Sequence, residues 1–117
     1  MKESIVKDKS KDFALRIIKL YKYLTIIADQ KEYVLSKQVL RSGTSIGANV
    51  KEALRGQSRP DFRAKMSIAL KEASETEYWL ELLYESSYID KSSYDSIIED
   101  CRELIKILIS IVKSTEL

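Results

Sequence analysis

The sequence predicts an all-α protein, an up-down-up-down antiparallel four-helix bundle. Three observations support this fold class. Apolar residues repeat at helical spacing through most of the 117 residues, glycine and proline together number only four, and short polar segments divide the repeat into four parts. The helices are expected at about residues 10–28, 36–55, 59–86 and 91–114, in a single domain that spans residues 1–117.

The first helix is predicted from a regular apolar stripe that ends before a polar segment at residues 29–33. The stripe comprises Phe13, Ile17, Leu20, Leu24 and Ile27. Ser10 is suited to cap its N-terminus. Residues 1–9 carry few apolar side chains, so we expect them to fray.

The second helix contains an unusual stretch, residues 41–53, in which poor helix formers occupy helical spacing. Each of its two glycines costs about 1 kcal/mol relative to alanine in a helix interior. Such a segment stays helical only where neighbouring helices pack closely on it. We therefore assign four residues to a helix-packing core: Gly43, Ile46, Gly47 and Asn49. Ser36 is expected to cap this helix, and Gly56 to end it in a left-handed conformation.

Four polar residues of the second helix allow two interpretations: Ser42, Ser45, Asn49 and Glu52. The first is a polar network that ties helices together, in which Asn49 fixes the register of packing. The second is a polar groove that binds a ligand. Gly43 and Gly47 do not form a phosphate loop, because they lie within a helix and no Lys-Ser/Thr pair follows them.

The third helix is predicted to carry two apolar stripes, of which a monomeric bundle would bury only one. The second stripe comprises Ala64, Ile68, Trp79 and Leu82, and we expect it to form the interface of a homo-oligomer. Ser58 and the following Pro60 are typical of a helix start. Asp90 or Ser92 is expected to cap the fourth helix.

The charges are unevenly distributed, although the net charge is only +2. Residues 37–65 hold seven bases and two acids, whereas residues 72–103 hold ten acids and two bases. Four bases fall within an arc of about 80° on the second helix. The arc and its continuation into the third helix comprise Lys37, Arg41, Lys51, Arg55, Arg59 and Arg63. This basic face is interpreted either as a nucleic-acid-binding surface or as an ordinary solvated helix face.

The residue types do not favour catalysis. Without histidine, a general base near neutral pH would need a shifted carboxyl, amine or thiol. The single cysteine, Cys101, lies on an apolar stripe and is expected to be a buried thiol. The acids of the third helix lack the Glu-x-x-His pairs of di-metal bundles. We therefore expect no enzyme, no cofactor and no metal, in a cytoplasmic protein without a membrane span or signal peptide.

The second and third helices carry motifs that resemble a known family. The stretch reads Gln38-Val39-Leu40-Arg41-Ser42-Gly43-Thr44-Ser45-Ile46-Gly47-Ala48-Asn49-Val50-Lys51-Glu52-Ala53, and Ser58, Asp61-Phe62 and Ser67-Ile68-Ala69-Leu70 follow it. It resembles the four-helix-bundle family encoded in intervening sequences of bacterial 23S ribosomal RNA genes, which is similar to the accessory variability proteins of diversity-generating retroelements. In this sequence Lys51-Glu52-Ala53-Leu54 stands where many relatives have an Ala-Glu-Gly ending.

The resemblance implies a non-enzymatic homo-oligomer, commonly a pentameric ring, with a basic surface that binds RNA or DNA. Two functional hypotheses follow from the residues and the resemblance together. The first is a nucleic-acid-binding protein that contacts phosphates through the basic face, since no aromatic residues are interleaved there to stack on bases. The alternative is a scaffold that docks a partner protein, such as a reverse transcriptase, without touching nucleic acid.

Overall fold

Four helices make up most of the chain in the computed structural model, which describes residues 2–116. They are α1 (Lys2–Lys22, continued by a π-helical turn at Tyr23–Ile27), α2 (Leu35–Leu54), α3 (Arg59–Glu85) and α4 (Lys91–Ser114). The described part of the chain contains no β-strand. The all-α class and the four-helix bundle are therefore confirmed.

Contacts between neighbouring helices show that they are antiparallel. The Thr76 hydroxyl of α3 donates to Ser42 Oγ of α2 at 2.8 Å, and Lys65 meets Glu52 at 3.2 Å, so numbers fall along α3 as they rise along α2. Helices α1 and α3 each pack on α2 and α4. The result is a rod of 50 × 20 × 19 Å. Its upper end holds residues 23–34 and 86–90, and its lower end holds residues 55–58 and the first and last described residues.

The core consists of one apolar stripe from each helix. Its largest fully buried side chains include Phe13, Ile17, Leu24, Ile46, Met66, Leu80, Leu83, Leu104, Leu108 and Ile111. These are the positions that the helical repeat selects, because residues three and four apart lie on one face of a helix. The bonded hydroxyls of Ser42 and Thr76 are buried among them.

Helices α1 and α2 approach each other closely at two glycines. A Cβ atom on Gly43 would lie 2.8 Å from Ile17 Cγ1, and one on Gly47 would lie 3.3 Å from the carbonyl oxygen of Ser10. Both glycines and the buried Ile46 therefore belong to the packing core. Asn49 does not fix the register, because its half-buried amide donates to the Ser45 carbonyl of its own helix at 2.8 Å.

The first helix begins earlier than the sequence suggested. It starts at Lys2 and continues through Ser10, whose buried hydroxyl donates to the Lys7 carbonyl at 3.2 Å rather than capping a helix. Val6 is completely buried and anchors this added segment to the core. The expected fraying of residues 2–9 is therefore wrong, while Met1 lies outside the described residues.

The helix caps are partly as predicted. Ser58 Oγ accepts from the Asp61 amide at 3.2 Å, and Asp90 accepts from the Ser93 amide at 2.8 Å, which confirms both N-caps. At α2 the N-cap residue is Val34, which makes no side-chain bond, and the carboxylate of the buried Glu32 accepts from the Ser36 amide at 2.7 Å instead. Ser36 does not cap the helix, because its hydroxyl donates to the Glu32 carbonyl at 2.7 Å.

Gly56 follows α2 for a reason other than a left-handed conformation. No glycine among residues 2–116 has a positive φ. A Cβ atom on Gly56 would lie 2.7 Å from Asp61 Oδ2, so the absence of a side chain lets the start of α3 fold back against the end of α2. The predicted left-handed stop is therefore wrong, and close packing explains the glycine.

The π-helical turn at the end of α1 changes which side chains face the core. The Ala28 amide donates to the Tyr23 carbonyl at 2.8 Å, five residues back, so this turn contains one residue more than an α-helical turn. Ile27 is 68% exposed, although helical spacing placed it on the buried stripe. Leu24 remains buried as the last core residue of the segment.

Gly43→Leu should destabilise the fold, because the added side chain would displace Ile17 from the α1–α2 contact. Overpacking of this kind costs about 1–3 kcal/mol in the free energy of unfolding. Gly47→Leu should also lower the free energy of unfolding, since its side chain would approach the carbonyl oxygen of Ser10. Ala48→Leu, on the exposed side of α2, is the matched control. Urea unfolding measures all three, and a Gly43→Leu variant as stable as the control would contradict the prediction.

Cys101 should resist thiol reagents in the folded protein. It is completely buried, its Sγ lies 3.4 Å from the Ala73 carbonyl oxygen, and desolvation raises its pKa to about 12. Because the thiolate is the reactive form, iodoacetamide at pH 8 should modify native protein far more slowly than urea-unfolded protein. Mass spectrometry measures both rates, and equal rates would place the thiol at the surface.

Candidate nucleic-acid interface

The six predicted basic side chains are all exposed, but they do not form one continuous patch. Lys37 and Arg41 lie on the upper half of α2, whereas Lys51 lies on its lower half and Arg55 directly follows its last residue. The ten residues from Arg41 to Lys51 correspond to about 15 Å along the helix. No basic residue lies between them, so the basic face divides into two groups.

Arg41 is held by carboxylates of the neighbouring helix. Its Nη1 lies 3.0 Å from Glu72 Oε2, and its Nη2 bonds Glu75. Desolvation works against the charged guanidinium, but the bonds to Glu75 and Glu72 outweigh it and raise the pKa of Arg41. Two acids on one base leave no local positive charge, so Arg41 contributes little attraction for phosphate.

The lower group gathers bases from three helices. Arg59 Nη2 donates to the Ser114 carbonyl at 3.3 Å, and Arg63 Nη2 lies 3.7 Å from Glu116 Oε1, so the start of α3 lies beside the end of α4. The end of α2 joins them through the short connection at residues 55–58. We call the exposed bases at this end of the rod the lower basic cluster, and they are Lys51, Arg55, Arg59, Arg63 and Lys113.

The lower basic cluster keeps most of its positive charge. Lys51, Arg55 and Lys113 have no ion pair with another residue of the described chain. The nearby acid Glu52 is paired with Lys65, which lies outside the cluster. The contact of Arg63 with Glu116 is long and exposed, and pairs of this kind are weak. The lower end of the rod therefore keeps several exposed cations without an acidic partner.

The surface of the cluster is shallow. A hollow of about 420 Å³ lies where the α2–α3 connection meets the end of α4. Its lining consists of Ala53, Leu54, Gly56, Ser58, Arg59, Phe62, Ser114 and Thr115. Its one aromatic ring, Phe62, is half-buried and packs on the core, so the hollow offers hydroxyls and a guanidinium rather than a stacking platform.

Lys113 is the residue of this cluster that the sequence did not reveal. It is separated from Arg63 by 50 positions and lies on a helix whose other charges are four acids and three bases. The only local signal is a basic residue in the last turn of a helix, which also suits the helix dipole. The antiparallel arrangement of α3 and α4 places it at the same end of the rod as the predicted bases.

The four polar residues of α2 make separate contacts. Ser42 bonds Thr76 in the core, Ser45 donates to the Arg41 carbonyl of its own helix at 2.6 Å, and Glu52 pairs with Lys65 at the surface. Of these four residues, Ser42 forms the buried hydrogen bond between α2 and α3. Ion pairs between the same two helices lie on either side of it along α2. Asn49 takes no part in it.

The second apolar stripe of α3 is exposed along only part of its length. Ala64 and Ile68 are exposed, whereas Trp79 and Leu82 are half-buried. Trp79 packs against the core, and its buried Nε1 has no hydrogen-bond partner among residues 2–116. Elsewhere in residues 2–116, no group of three metal-ligating side chains comes together, and no helix is long and apolar enough to cross a membrane.

Comparison with known proteins identifies a family and a close structural relative. The family model described as 23S rRNA-intervening sequence protein matches residues 2–110. A crystal structure of a protein of unknown function from the S23 ribosomal protein family of Bacteroides thetaiotaomicron is 60% identical in sequence, with a TM-score of 0.93. The match covers 97% of this chain and 99% of that one. No curated protein matches the sequence.

The family match agrees with the family resemblance that the sequence motifs of α2 and α3 suggested, and the fold is the four-helix bundle expected of that family. The matched region includes all of α2 and α3, and with them the close-packed glycines and most of the lower basic cluster. The Bacteroides relative shares the fold over nearly the whole of both chains. The chain therefore belongs to the 23S rRNA-intervening sequence protein family.

Proposed function

We propose that this protein is a non-catalytic, oligomeric RNA-binding protein that contacts the phosphate backbone through the lower basic cluster. The observation that carries the proposal is the convergence of five exposed bases from three helices, most of them without an acidic partner. Clustered lysine and arginine side chains attract polyanions and release counterions when they bind. Repetition of the cluster in an oligomer multiplies this attraction.

The chemistry of the cluster favours phosphate contacts over base recognition. Its members are lysines and arginines at helix ends, without an exposed aromatic side chain beside them to stack on a base. Five phosphate contacts per subunit would give a slope of log K against log salt between about −3 and −5. Binding should therefore depend steeply on salt and weakly on sequence. The description of the family links it to 23S rRNA, which makes RNA the first nucleic acid to test.

A binding role rather than a catalytic one follows from the residue chemistry. The sequence holds no histidine, and the only thiol is buried with a raised pKa. The acidic residues of α3 are engaged with bases: Glu72 and Glu75 bind Arg41, while Glu77 binds Arg102.

A protein-docking scaffold is the second candidate function, and one observation favours it. The upper end of the rod exposes Ile26, Ile27, Tyr33 and Val34, each more than half accessible. Contiguous exposed apolar side chains typically mark a protein interface. In this alternative a partner protein such as a reverse transcriptase covers that end, and the basic cluster plays no part.

Charge reversal at the lower basic cluster tests RNA binding. The double variant Lys51→Glu/Arg55→Glu should bind RNA at least tenfold more weakly at low salt, because two phosphate contacts become repulsive. The matched control is Lys11→Glu/Lys106→Glu, which changes the net charge equally at exposed sites outside the cluster. Fluorescence anisotropy with a labelled RNA at two salt concentrations measures all three proteins.

The outcomes separate the two candidate functions. If wild-type protein does not bind RNA at low salt, the result would contradict the proposal and favour the docking scaffold. Equal losses of RNA affinity in the cluster variant and its control would show that net charge, and not the position of the bases, determines binding. Circular dichroism should give the same helicity for each variant, since exposed sites contribute little to folding.

The oligomeric part of the proposal has its own test. Light scattering at micromolar concentration should give a mass that is a multiple of 13.5 kDa, with five subunits expected from the resemblance. Apolar residues that a single bundle leaves exposed are the physical reason. A monomer at 100 μM would overturn the expectation.

A further inference from the structure

The three most exposed large apolar side chains in residues 2–116 lie together at the upper end of the rod. They are Ile26, Ile27 and Val34, which are 67%, 68% and 72% exposed. Tyr23 and Tyr33 are exposed beside them in the sequence. We call the surface formed by these five residues the upper apolar tip. Exposed apolar side chains that are grouped in this way typically mark a binding surface.

Hydrogen bonds join the two halves of the tip. One half is the π-helical turn at the end of α1, and the other half is the segment that leads into α2. The Glu32 amide donates to the Leu24 carbonyl at 2.9 Å, and the Glu32 carboxylate accepts from the Val34 amide at 3.1 Å. Because these bonds bring the end of α1 and the start of α2 together, the exposed side chains form one surface that is already shaped in the free protein.

The tip is surrounded by positive charge. Exposed lysines lie on the adjacent turns of α1 and α2 and in their connection: Lys19, Lys22, Lys31 and Lys37. None of these lysines has an ion pair with another described residue. Asp29 is the exposed acid of residues 19–37, whereas Glu85 and Asp90 lie at the end of α3 and before α4. The charge beside the apolar side chains therefore favours an anionic partner.

The size of the tip favours a lipid surface over a folded protein. The tip lies on the end of a rod that measures 20 × 19 Å across, whereas each partner in a standard protein interface contributes about 800 Å². A folded partner must also match the shape of protruding side chains. The headgroup region of a bilayer is fluid, so it accepts protruding apolar side chains without a matching pocket.

Each residue type of the tip suits the interface of an anionic bilayer. Isoleucine and valine bury their side chains at the boundary between headgroups and acyl chains, and tyrosine rings lie at the headgroup level. Lysines keep their amines among the headgroups, where anionic lipids attract them. No helix in residues 2–116 is long and apolar enough to cross a membrane, so the contact is confined to the bilayer surface.

We propose that the upper apolar tip inserts into the surface of an anionic lipid bilayer, with the surrounding lysines on the phosphate headgroups. The contact holds the rod by one end, and the lower basic cluster lies at the other end of its 50 Å length. Charges in solution are screened over about 8 Å at physiological salt, so the two ends bind their partners independently. The inference goes beyond the proposed function and does not depend on RNA binding.

Cosedimentation with vesicles tests insertion of the apolar side chains. Wild-type protein should bind vesicles of equal parts phosphatidylcholine and phosphatidylglycerol at least about tenfold more tightly than vesicles of phosphatidylcholine alone. Ile26→Ser/Ile27→Ser, which leaves the charge unchanged, should weaken binding to the mixed vesicles at least about tenfold. The matched control is Ile5→Ser/Leu15→Ser, since both residues are exposed on α1 outside the tip. The control should bind within about twofold of wild type.

Two results of this experiment would overturn the inference. Wild-type protein that stays in the supernatant with the mixed vesicles would leave the tip to the docking scaffold. A tip variant that binds as tightly as wild type would show that the vesicles attract the protein by charge alone. Circular dichroism should give equal helicity for all three proteins, because the substituted side chains are exposed.

Charge reversal tests whether the lysines at the tip contact the headgroups. Lys22→Glu/Lys31→Glu should weaken binding to the mixed vesicles at least about tenfold, whereas Lys11→Glu/Lys106→Glu, with the same change in net charge, should weaken it less than about threefold. Equal losses would overturn the inference.

The lower-cluster variant separates this inference from the proposed function. Lys51→Glu/Arg55→Glu should lose RNA binding and keep vesicle binding to within about threefold of wild type, because the substituted bases lie at the opposite end of the rod. A tenfold loss of vesicle binding in this variant would overturn the tip as the lipid site. Wild-type protein that binds the mixed vesicles but not RNA would contradict the proposed function and support the inference.

Discussion

The close contact of α1 with α2 at Gly43 is the constraint on which the rest of the bundle depends. Ile17 occupies the space that a side chain at Gly43 would fill. The backbone of α2 therefore packs directly against the Ile17 side chain of α1. Only packing of this kind can keep a helix that contains two glycines in place, since each weakens the helix by about 1 kcal/mol. It also fixes the rotation of α2, and hence the outward direction of its basic side chains.

Polar contacts fix how α2 and α3 are aligned, while apolar burial supplies most of the stability. The bonded hydroxyls of Ser42 and Thr76 lie inside the core, where an unpaired one would cost about 1–3 kcal/mol. This favours one register over its neighbours. The ion pairs of Arg41 lie in the same interface but are more exposed, so they contribute less. Their main effect is to remove Arg41 from the free basic surface.

The two ends of the rod have different chemistry, and the proposed roles use them separately. The lower end carries clustered bases on a shallow polar surface. The upper end carries exposed isoleucine and valine beside lysines. In a homo-oligomer each copy would add its own lower basic cluster, and several clusters together suit a long polyanion better than a single subunit does.

The sequence by itself determined the features that depend on nearby residues. Helical spacing selected the core stripes, and the caps at Ser58 and Asp90 follow from bonds to amides three residues away. Of the candidate site, the sequence identified the bases of α2 and α3 as a charged surface. Tertiary structure decided which of those bases remain unpaired. Arg41 meets acids more than 30 positions away, and Lys113 joins the cluster only because α4 runs antiparallel to α3. Tertiary structure also decided the exposure of Ile27, because the π-helical turn at Tyr23–Ile27 departs from the spacing of an α-helix.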